Sequence, residues 1–286
     1  VREEALMIDL DKQQQADGNS MNNEVRVVPL YEGTFSVGTD KILKRIDRDD
    51  KPYKGELKLS VNPFLICEED RNILFDTGIG ELAGEESAIQ KLLQNIEKQS
   101  LTEFDISDIF LSHLHLDHIG GLANREEGYW QLTFPNARIW VSEEGWKDLG
   151  NQIEKAGEEA SEFYHFLDLK ADLHFLGNEE ESPVPHVRTR QIGGHSEHHL
   201  ILFYEDGDQR YLMAGDVIGT RAAINRSYAA KYDFDPEQSM KMRSEIQVIA
   251  YEKSYVIMAY HDTEMPLFKL TEYSDKKGYK IENANS

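Results

Sequence analysis

At 286 residues the chain is long enough for one large domain with a real core, or for two small ones. Its 53 acidic residues outnumber 31 lysines and arginines; the formal net charge of −22 argues against nucleic acid and anionic lipid as partners and helps attract divalent cations, with simple solubility an equally good reading. No run approaches the roughly 20 consecutive apolar residues of a membrane span, and the single cysteine, Cys67, can close no internal disulfide.

In chain order, residues 1–23 are polar, carry no apolar signal core and do not begin with methionine. They are expected to be a poorly ordered leader, with Met21 a candidate native start and a cytoplasmic location expected; processed export is the alternative. From Val25 the pattern is β-like: VRVVPL, LKLSVNPFLI and NILF are rich in branched and aromatic residues. Cys67, in FLICEED, reads as a small buried hydrophobe of a strand. The alternative, a nucleophile, is disfavoured because acidic neighbours raise a thiol pKa. SAIQKLLQNIEKQ, 87–99, has apolar residues at helical spacing. DIFLS, 108–112, is a short buried-type strand that runs into SHLHLDH. ARIWVS, 137–142, is another strand, 143–169 reads as helix with an acidic outer face, and 177–185 is a turn-rich break. Beyond it HVRTRQI, HLILFY, RYLMAGD and SYVIMAY predict strands, with a helix over 236–251 before the last. Residues 24–286 thus read as one α/β domain of mixed sheets with helices packed outside.

Apolar runs end repeatedly in residues able to ligate a metal: Asp76, His113, His195, Asp216 and His261. In layered α/β folds functional groups gather where strands give way to loops. Singly, each has an ordinary reading: a histidine after a strand is more often structural, and an Asp before Gly is a common turn former. The packing of His113, His115, Asp117 and His118 into six positions shifts that balance, because histidine is the commonest metal ligand among side chains. His165, His174 and His186 lie away from these endings and read as structural or surface residues.

SHLHLDHIGG resembles the H-x-H-x-D-H signature of the metallo-β-lactamase superfamily. FDTG, GGHSEHH, MAGD and AYHD resemble its other motifs, in the expected order, from about Val25 to Leu270. The resemblance implies a four-layer αββα sandwich, two mixed β-sheets flanked by helices, with a dinuclear metal site at one edge. It places His113, His115 and His195 on one metal, Asp117, His118 and His261 on the second, and Asp216 between the two. Asp76 would lie behind the ligands and fix a histidine ring by hydrogen bonding. Five imidazoles and two carboxylates suit zinc, with iron or manganese as alternatives. Two divalent ions outweigh those carboxylates and a bridging hydroxide by about one charge, and metal binding lowers the pKa of water to about 7. The implied reaction is attack of that hydroxide on a carbonyl, with Asp117 orienting it and passing its proton to the leaving oxygen. No G-x-S-x-G elbow offers a serine instead.

Within the superfamily, GGLAN…LTFPNARIWVSEEGW and GHSEHHLIL resemble the lactonase and organophosphate-hydrolase branch, so a small-molecule lactone or ester is the expected substrate. A glyoxalase II type thioester hydrolase, to which Lys269, Lys276 and Lys277 would lend basic residues, and a phosphotriesterase are the alternatives. The diiron oxygen-reducing class usually has an acidic residue where His115 stands. The departures from the pattern are Gly193 and His198 in IGGHSEHH, Tyr260 where glycine is common, and Gly219 where some lactonases carry a tyrosine. Tyr228, in the aromatic and basic loop 221–234, is a candidate substrate residue that could replace that tyrosine, with a core role for the loop's aromatics the equal alternative; His198 is expected to point to solvent, or else to reach the pocket as a second candidate. A dinucleotide fingerprint, GIGELA at 78–83, competes weakly, since Glu81, Glu85 and Glu86 put the wrong charge beside a pyrophosphate. A metal-binding scaffold without turnover is the non-enzyme alternative.

Overall fold

The computed structural model describes residues 25–81, 88–178, 182–228, 230 and 232–284. The leader expected over 1–23, Ser87 of the first predicted helix and the Leu82–Ala83 end of GIGELA lie outside them, as do 179–181, Ala229 and Lys231. The chain opens with β1 (Arg26–Pro29), β2 (Gly33–Val37), β3 (Leu43–Ile46), β4 (Leu57–Val61), β5 (Phe64–Cys67) and β6 (Asn72–Phe75). Helix α1 (Ala88–Glu97) and β7 (Asp108–Phe110) lead to the one-turn helix α2 (Leu116–Ile119). There follow the hairpin β8 (Ala123–Glu126) and β9 (Tyr129–Leu132), then β10 (Arg138–Ser142), α3 (Glu143–Gln152), α4 (Glu158–Lys170) and β11 (Asp172–Leu176). The second half comprises β12 (Val187–Gln191), β13 (Leu200–Asp206), β14 (Gln209–Met213), α5 (Pro236–Glu252), β15 (Val256–Met258), β16 (Leu267–Ser274) and β17 (Gly278–Asn283).

Two six-stranded sheets form, in the orders β1-β5-β6-β7-β10-β11 and β12-β13-β14-β15-β16-β17. Both are mixed: β6, β7, β10 and β11 run parallel in the first, and β14 runs parallel to β15 in the second. Alternation along the strands builds the layers. In β5, Phe64 and Ile66 face the second sheet and join Leu202, Met213 and Met258 in a central core. Leu65, between them, faces the other way with Leu74 and Ile109, against Leu92 of α1 and Trp146 and Leu167 of α3 and α4. In the second sheet Ile201, Phe203 and Ile257 turn outward onto Met242 and Ile246 of α5. The result is the helix–sheet–sheet–helix sandwich anticipated above. Cys67 is buried in the outer core, and burial pushes its thiol up, in keeping with a packing role.

The single helix expected over 143–169 is two. Gly157 adopts φ 106°, a backbone open to glycine, and breaks the run between α3 and α4. LKLSVNPFLI likewise divides at Asn62–Pro63, where the Asn62 amide donates to the carbonyls of Tyr260 and Asp262 and ties the corner to the second sheet. Strands β2 to β4 form a small separate sheet beside the site.

The loop after β6 packs unusually close to α2. A Cβ on Gly120 would stand 1.7 Å from the Ile79 carbonyl oxygen, and one on Gly121 1.9 Å from that of Thr77. Gly80 in turn faces the Gly120 carbonyl, and Gly78 faces the Glu32 carboxyl. The glycines of GIGELA thus serve this backbone contact, not a phosphate cradle. Glu32 is 1% exposed; its Oε2 accepts from the Ile79 amide at 3.1 Å and its Oε1 has no hydrogen-bond partner. Burial pushes this carboxyl from an ordinary 4.5 up to about 8, against the lowering effect of the Ile79 amide. Its folded pKa exceeds the unfolded one, so the metal-free protein should lose stability as pH rises from about 5 to 8, by about 1.4 kcal/mol per unit at most. Glu32→Gln should remove that slope. Thermal melts of the metal-free pair should show the variant gaining on the parent as pH rises from about 5 to 8; a difference independent of pH would contradict this.

Candidate metal centre

All seven residues expected to ligate come together at one edge of the sandwich. Each is delivered by a strand end. β7 leads into His113, His115 and α2; β12 into His195; β14 into Asp216; β15 into His261. Two groups of potential ligand atoms form, His113, His115, His195 and Asp216 in one and Asp117, His118 and His261 in the other, the atoms of each group lying within 4.8 Å of one another.

In the first group His115 Nδ1 stands 3.0 Å from His113 Nε2 and 3.1 Å from His195 Nε2, and His195 Nε2 is 3.2 Å from Asp216 Oδ2. In the second, His261 Nε2 lies 3.0 Å and His118 Nε2 3.3 Å from Asp216 Oδ1, while Asp117 Oδ2 is 3.6 Å from His261 Nε2. The two Asp216 oxygens therefore address different groups.

The far side of each ring shows which nitrogen is free. His118 Nδ1–H donates to Asp76 Oδ2 at 2.6 Å, His261 Nδ1–H to the Ser60 carbonyl at 2.8 Å, and His195 Nδ1–H to Asp233 Oδ1 at 2.9 Å. Ser112 Oγ donates to Asp76 Oδ2 and can accept from His113 Nδ1–H at 3.1 Å. Four rings so pinned point Nε2 lone pairs inward. His118 Nε2 and Asp216 Oδ1 are buried and have no hydrogen-bond partner. Converging lone pairs and orphaned buried atoms fit cations of zinc type, whose tetrahedral nitrogen ligands at about 2.0–2.1 Å stand about 3.3 Å apart.

The electrostatics divide the same way. Burial and the neighbouring imidazoles push His113 well below the ordinary histidine value, and burial with His195 brings His115 to about 4. Burial opposes charge on His118 too, yet Asp117, Asp76 and Asp216 hold it well above the ordinary value. Burial also works against the Asp216 carboxylate, but His261, His195 and His118 keep it well below the carboxylate range.

Asp76, at the end of β6 with φ 58°, is fully buried and also accepts from the Ser112 amide at 2.7 Å. Its Oδ2 thus takes both the His118 ring and the Ser112 hydroxyl. Asp233 likewise takes the His195 ring and was not legible: it lies in an aromatic loop with no motif around it, 38 residues away. His199 is buried beside His113, with Nε2–H donating to the Ala214 carbonyl at 3.0 Å, outside both groups. His174 pairs with Asp172 and His186 with Glu68, away from the site, and His165 packs beside Tyr164.

Two cavities meet at the cluster. One, of about 380 Å³, is lined by Leu111, Leu114, Val141, Leu149 and Phe234 beside His113, His115 and His195. His198 belongs to its wall instead of facing solvent: it is 16% exposed, with Nε2 2.9 Å from Asp148 Oδ2 and Nδ1 3.3 Å from Gln191 Nε2. The second, of about 480 Å³, lies over Asp216 and His261 and is lined by Leu57, Leu59, Arg226, Tyr228 and Tyr232. The loop 221–234 thus borders this cavity. Gly219 also lines it, and its carbonyl accepts from the His261 amide at 2.7 Å. Among the described residues no helix is long and apolar enough to cross a membrane.

The fold and the converging side chains together define a class, and comparison with known proteins agrees with it. Residues 58–261 match the family model of the metallo-beta-lactamase superfamily, and the chain belongs to that superfamily. A metallo-beta-lactamase fold-containing protein of Sulfurisphaera tokodaii, ST1585, is 27% identical over 165 residues; the match covers 54% of this chain and 56% of that protein, so little more than half of each is compared. Among solved structures, a probable metal-dependent hydrolase from Staphylococcus aureus superposes with a TM-score of 0.69 at 21% identity, over 92% of this chain and 98% of that one. The dizinc quorum-quenching lactonase AidC, in complex with a product, gives 0.69 at 20% identity over 91% and 94%. The beta-lactamase-superfamily hydrolase AbOPH gives 0.69 at 20% over 92% and 95%. At these identities the likeness is one of fold.

Proposed function

We propose that the chain binds two divalent metal ions, zinc before iron or manganese, and hydrolyses a small-molecule lactone or ester. His113, His115 and His195 would hold one ion and Asp117, His118 and His261 the other, with Asp216 available to both. The observation that carries this reading is Asp216 itself, whose Oδ2 faces His195 Nε2 at 3.2 Å and whose Oδ1 faces His261 Nε2 at 3.0 Å. Such a pair of ions, when bound, supplies a hydroxide near neutral pH and polarises a carbonyl.

The chain's own residues do the rest. Asp117, its side chain 23% exposed, is the least buried carboxylate of the site and is placed to accept a proton at Oδ2 and release it to a leaving oxygen. Leu111, Leu114, Val141 and Leu149 seat an apolar arm of the substrate and exclude water. The Tyr228 hydroxyl, on the rim of the other cavity, is offered to the carbonyl oxygen as charge develops there. His198 shapes the apolar wall, with both ring nitrogens engaged by Gln191 and Asp148. Support for a lactone comes from the product-bound lactonases among the structural neighbours.

Elemental analysis of protein purified without chelator, followed by a panel of lactones, aryl esters, thioesters and phosphotriesters, tests the reading. About two metals per chain with lactone or ester turnover is expected. Preference for a thioester or phosphotriester would replace the substrate class, and two metals without any turnover would leave a silent scaffold.

Asp233→Ala should weaken metal binding about 10- to 100-fold, because His195 loses the carboxylate that orients its ring and fixes its proton on Nδ1. Competition with a chromophoric chelator measures this; an unchanged affinity would remove Asp233 from the site.

A further inference from the structure

Tyr260 stands immediately before His261 and is fully buried. Its hydroxyl donates to the Asp117 carbonyl at 2.6 Å. Its ring stacks on His118, centroids 4.1 Å apart and planes at 22°, and meets His261 edge-on at 5.0 Å and 84°. Its own carbonyl accepts from the Asn62 amide side chain at 2.7 Å and from the Asn62 backbone amide at 3.1 Å. One side chain thereby touches all three residues of the second ligand group.

The contact answers a defect of α2. A helix of only four residues, Leu116–Ile119, leaves most of its carbonyls without intrahelical donors. The Leu116 carbonyl takes the Gly120 amide, and the His118 carbonyl takes both the amide and the hydroxyl of Thr77, at 2.8 and 3.0 Å. The Asp117 carbonyl takes the Tyr260 hydroxyl. A smaller residue at 260 would leave that carbonyl unpaired and the outer face of the His118 ring without its stacking partner. Thr77 and Asp76 grip α2 from the first sheet, and Tyr260 grips it from the second, through the same turn that carries His261.

We propose that Tyr260 is a positioning residue for the Asp117–His118–His261 half of the site, setting the spacing of its ligands and so the affinity of that half for a cation. This rests on the two-metal reading above. Tyr260 is distinct from the ligands: it places Asp117 and His118, carried by the first sheet, against His261, carried by the second. Its removal should therefore affect one half of the site and spare His113, His115 and His195.

The test uses the full chain, stripped of metal and titrated with zinc in competition with a chelator, and with cadmium-113 followed by NMR. Tyr260→Phe keeps the stacked ring and deletes only the hydroxyl. The expected result is about a 10- to 100-fold weaker second equivalent of zinc, a first equivalent unchanged, and a shift or broadening of one of two cadmium resonances. Tyr204→Phe is the control, since Tyr204 is equally buried and donates to Glu68 at 2.8 Å, remote from the ligands; it should lower the melting temperature and leave both equivalents alone. A Tyr260→Phe protein that melts lower but binds both equivalents like its parent overturns the proposal and leaves the two-metal reading intact. A parent chain that takes up no zinc or cadmium overturns the two-metal reading, and this proposal with it.

Discussion

On the proposed two-metal reading, Asp216→Ala is expected to cut the metal content from two per chain to one or none and to lower kcat/KM by about three orders of magnitude or more, because it is metal binding that lowers the pKa of water from about 15.7 to about 7. No other described carboxylate sits between the two groups of imidazoles, and its two oxygens face them separately. Asp216→Asn sharpens the test. A carboxamide offers one oxygen and one NH₂, so it can serve one group only; one metal and a comparable loss of turnover are expected. Elemental analysis alongside kinetics checks both variants. An Asp216→Ala enzyme with two metals and parental turnover would show that the ions, if present, are held another way.

Asp76→Ala is expected to have the second largest effect, and to act on stability as well as on metal. The carboxylate is fully buried and accepts from His118 Nδ1–H, the Ser112 hydroxyl and the Ser112 amide. Deleting it strands three buried donors in one place, which costs about 3–5 kcal/mol by analogy with breaking a buried charged pair. Alanine also tolerates φ 58° poorly. His118 would be free to turn and Ser112 free to release His113, so metal affinity should fall by about 100-fold or more. Melting of the metal-free protein separates the two consequences: Asp76→Asn, which accepts at one oxygen and tolerates the left-handed backbone, should recover much of the stability and little of the metal affinity. Parental affinity in Asp76→Ala would show that Asp76 only braces the loop.

The differences between the expected and observed elements have physical causes. Buried strands such as Phe64–Cys67 and Leu200–Asp206 were readable because burial on both faces leaves continuous apolar runs. The hairpin β8–β9 and the outer half of β16–β17 were not, because they show solvent one or both faces and carry charged and polar residues where a core strand would carry aliphatic ones. The helix break at Gly157 hides in an acidic stretch whose periodicity continues across it. Cys67 packs in the core as expected, and His165, His174 and His186 lie on the exposed side of the fold, away from the site, while His198 lines a cavity.

By itself the sequence determined which residues converge at the sheet edge, their order along the chain and the class of fold. These are short-range properties: a strand end and the residues that follow it are adjacent in the chain, and His113, His115, Asp117 and His118 need only one turn to converge. Tertiary structure alone decided what holds them. His195 is pinned by a residue 38 positions away, Tyr260 grips one 143 away, and His261 leans on a carbonyl 201 away. The orientation of an imidazole depends on the partner of its second nitrogen, and no local pattern records which distant chain segment the folding of two sheets brings to that nitrogen.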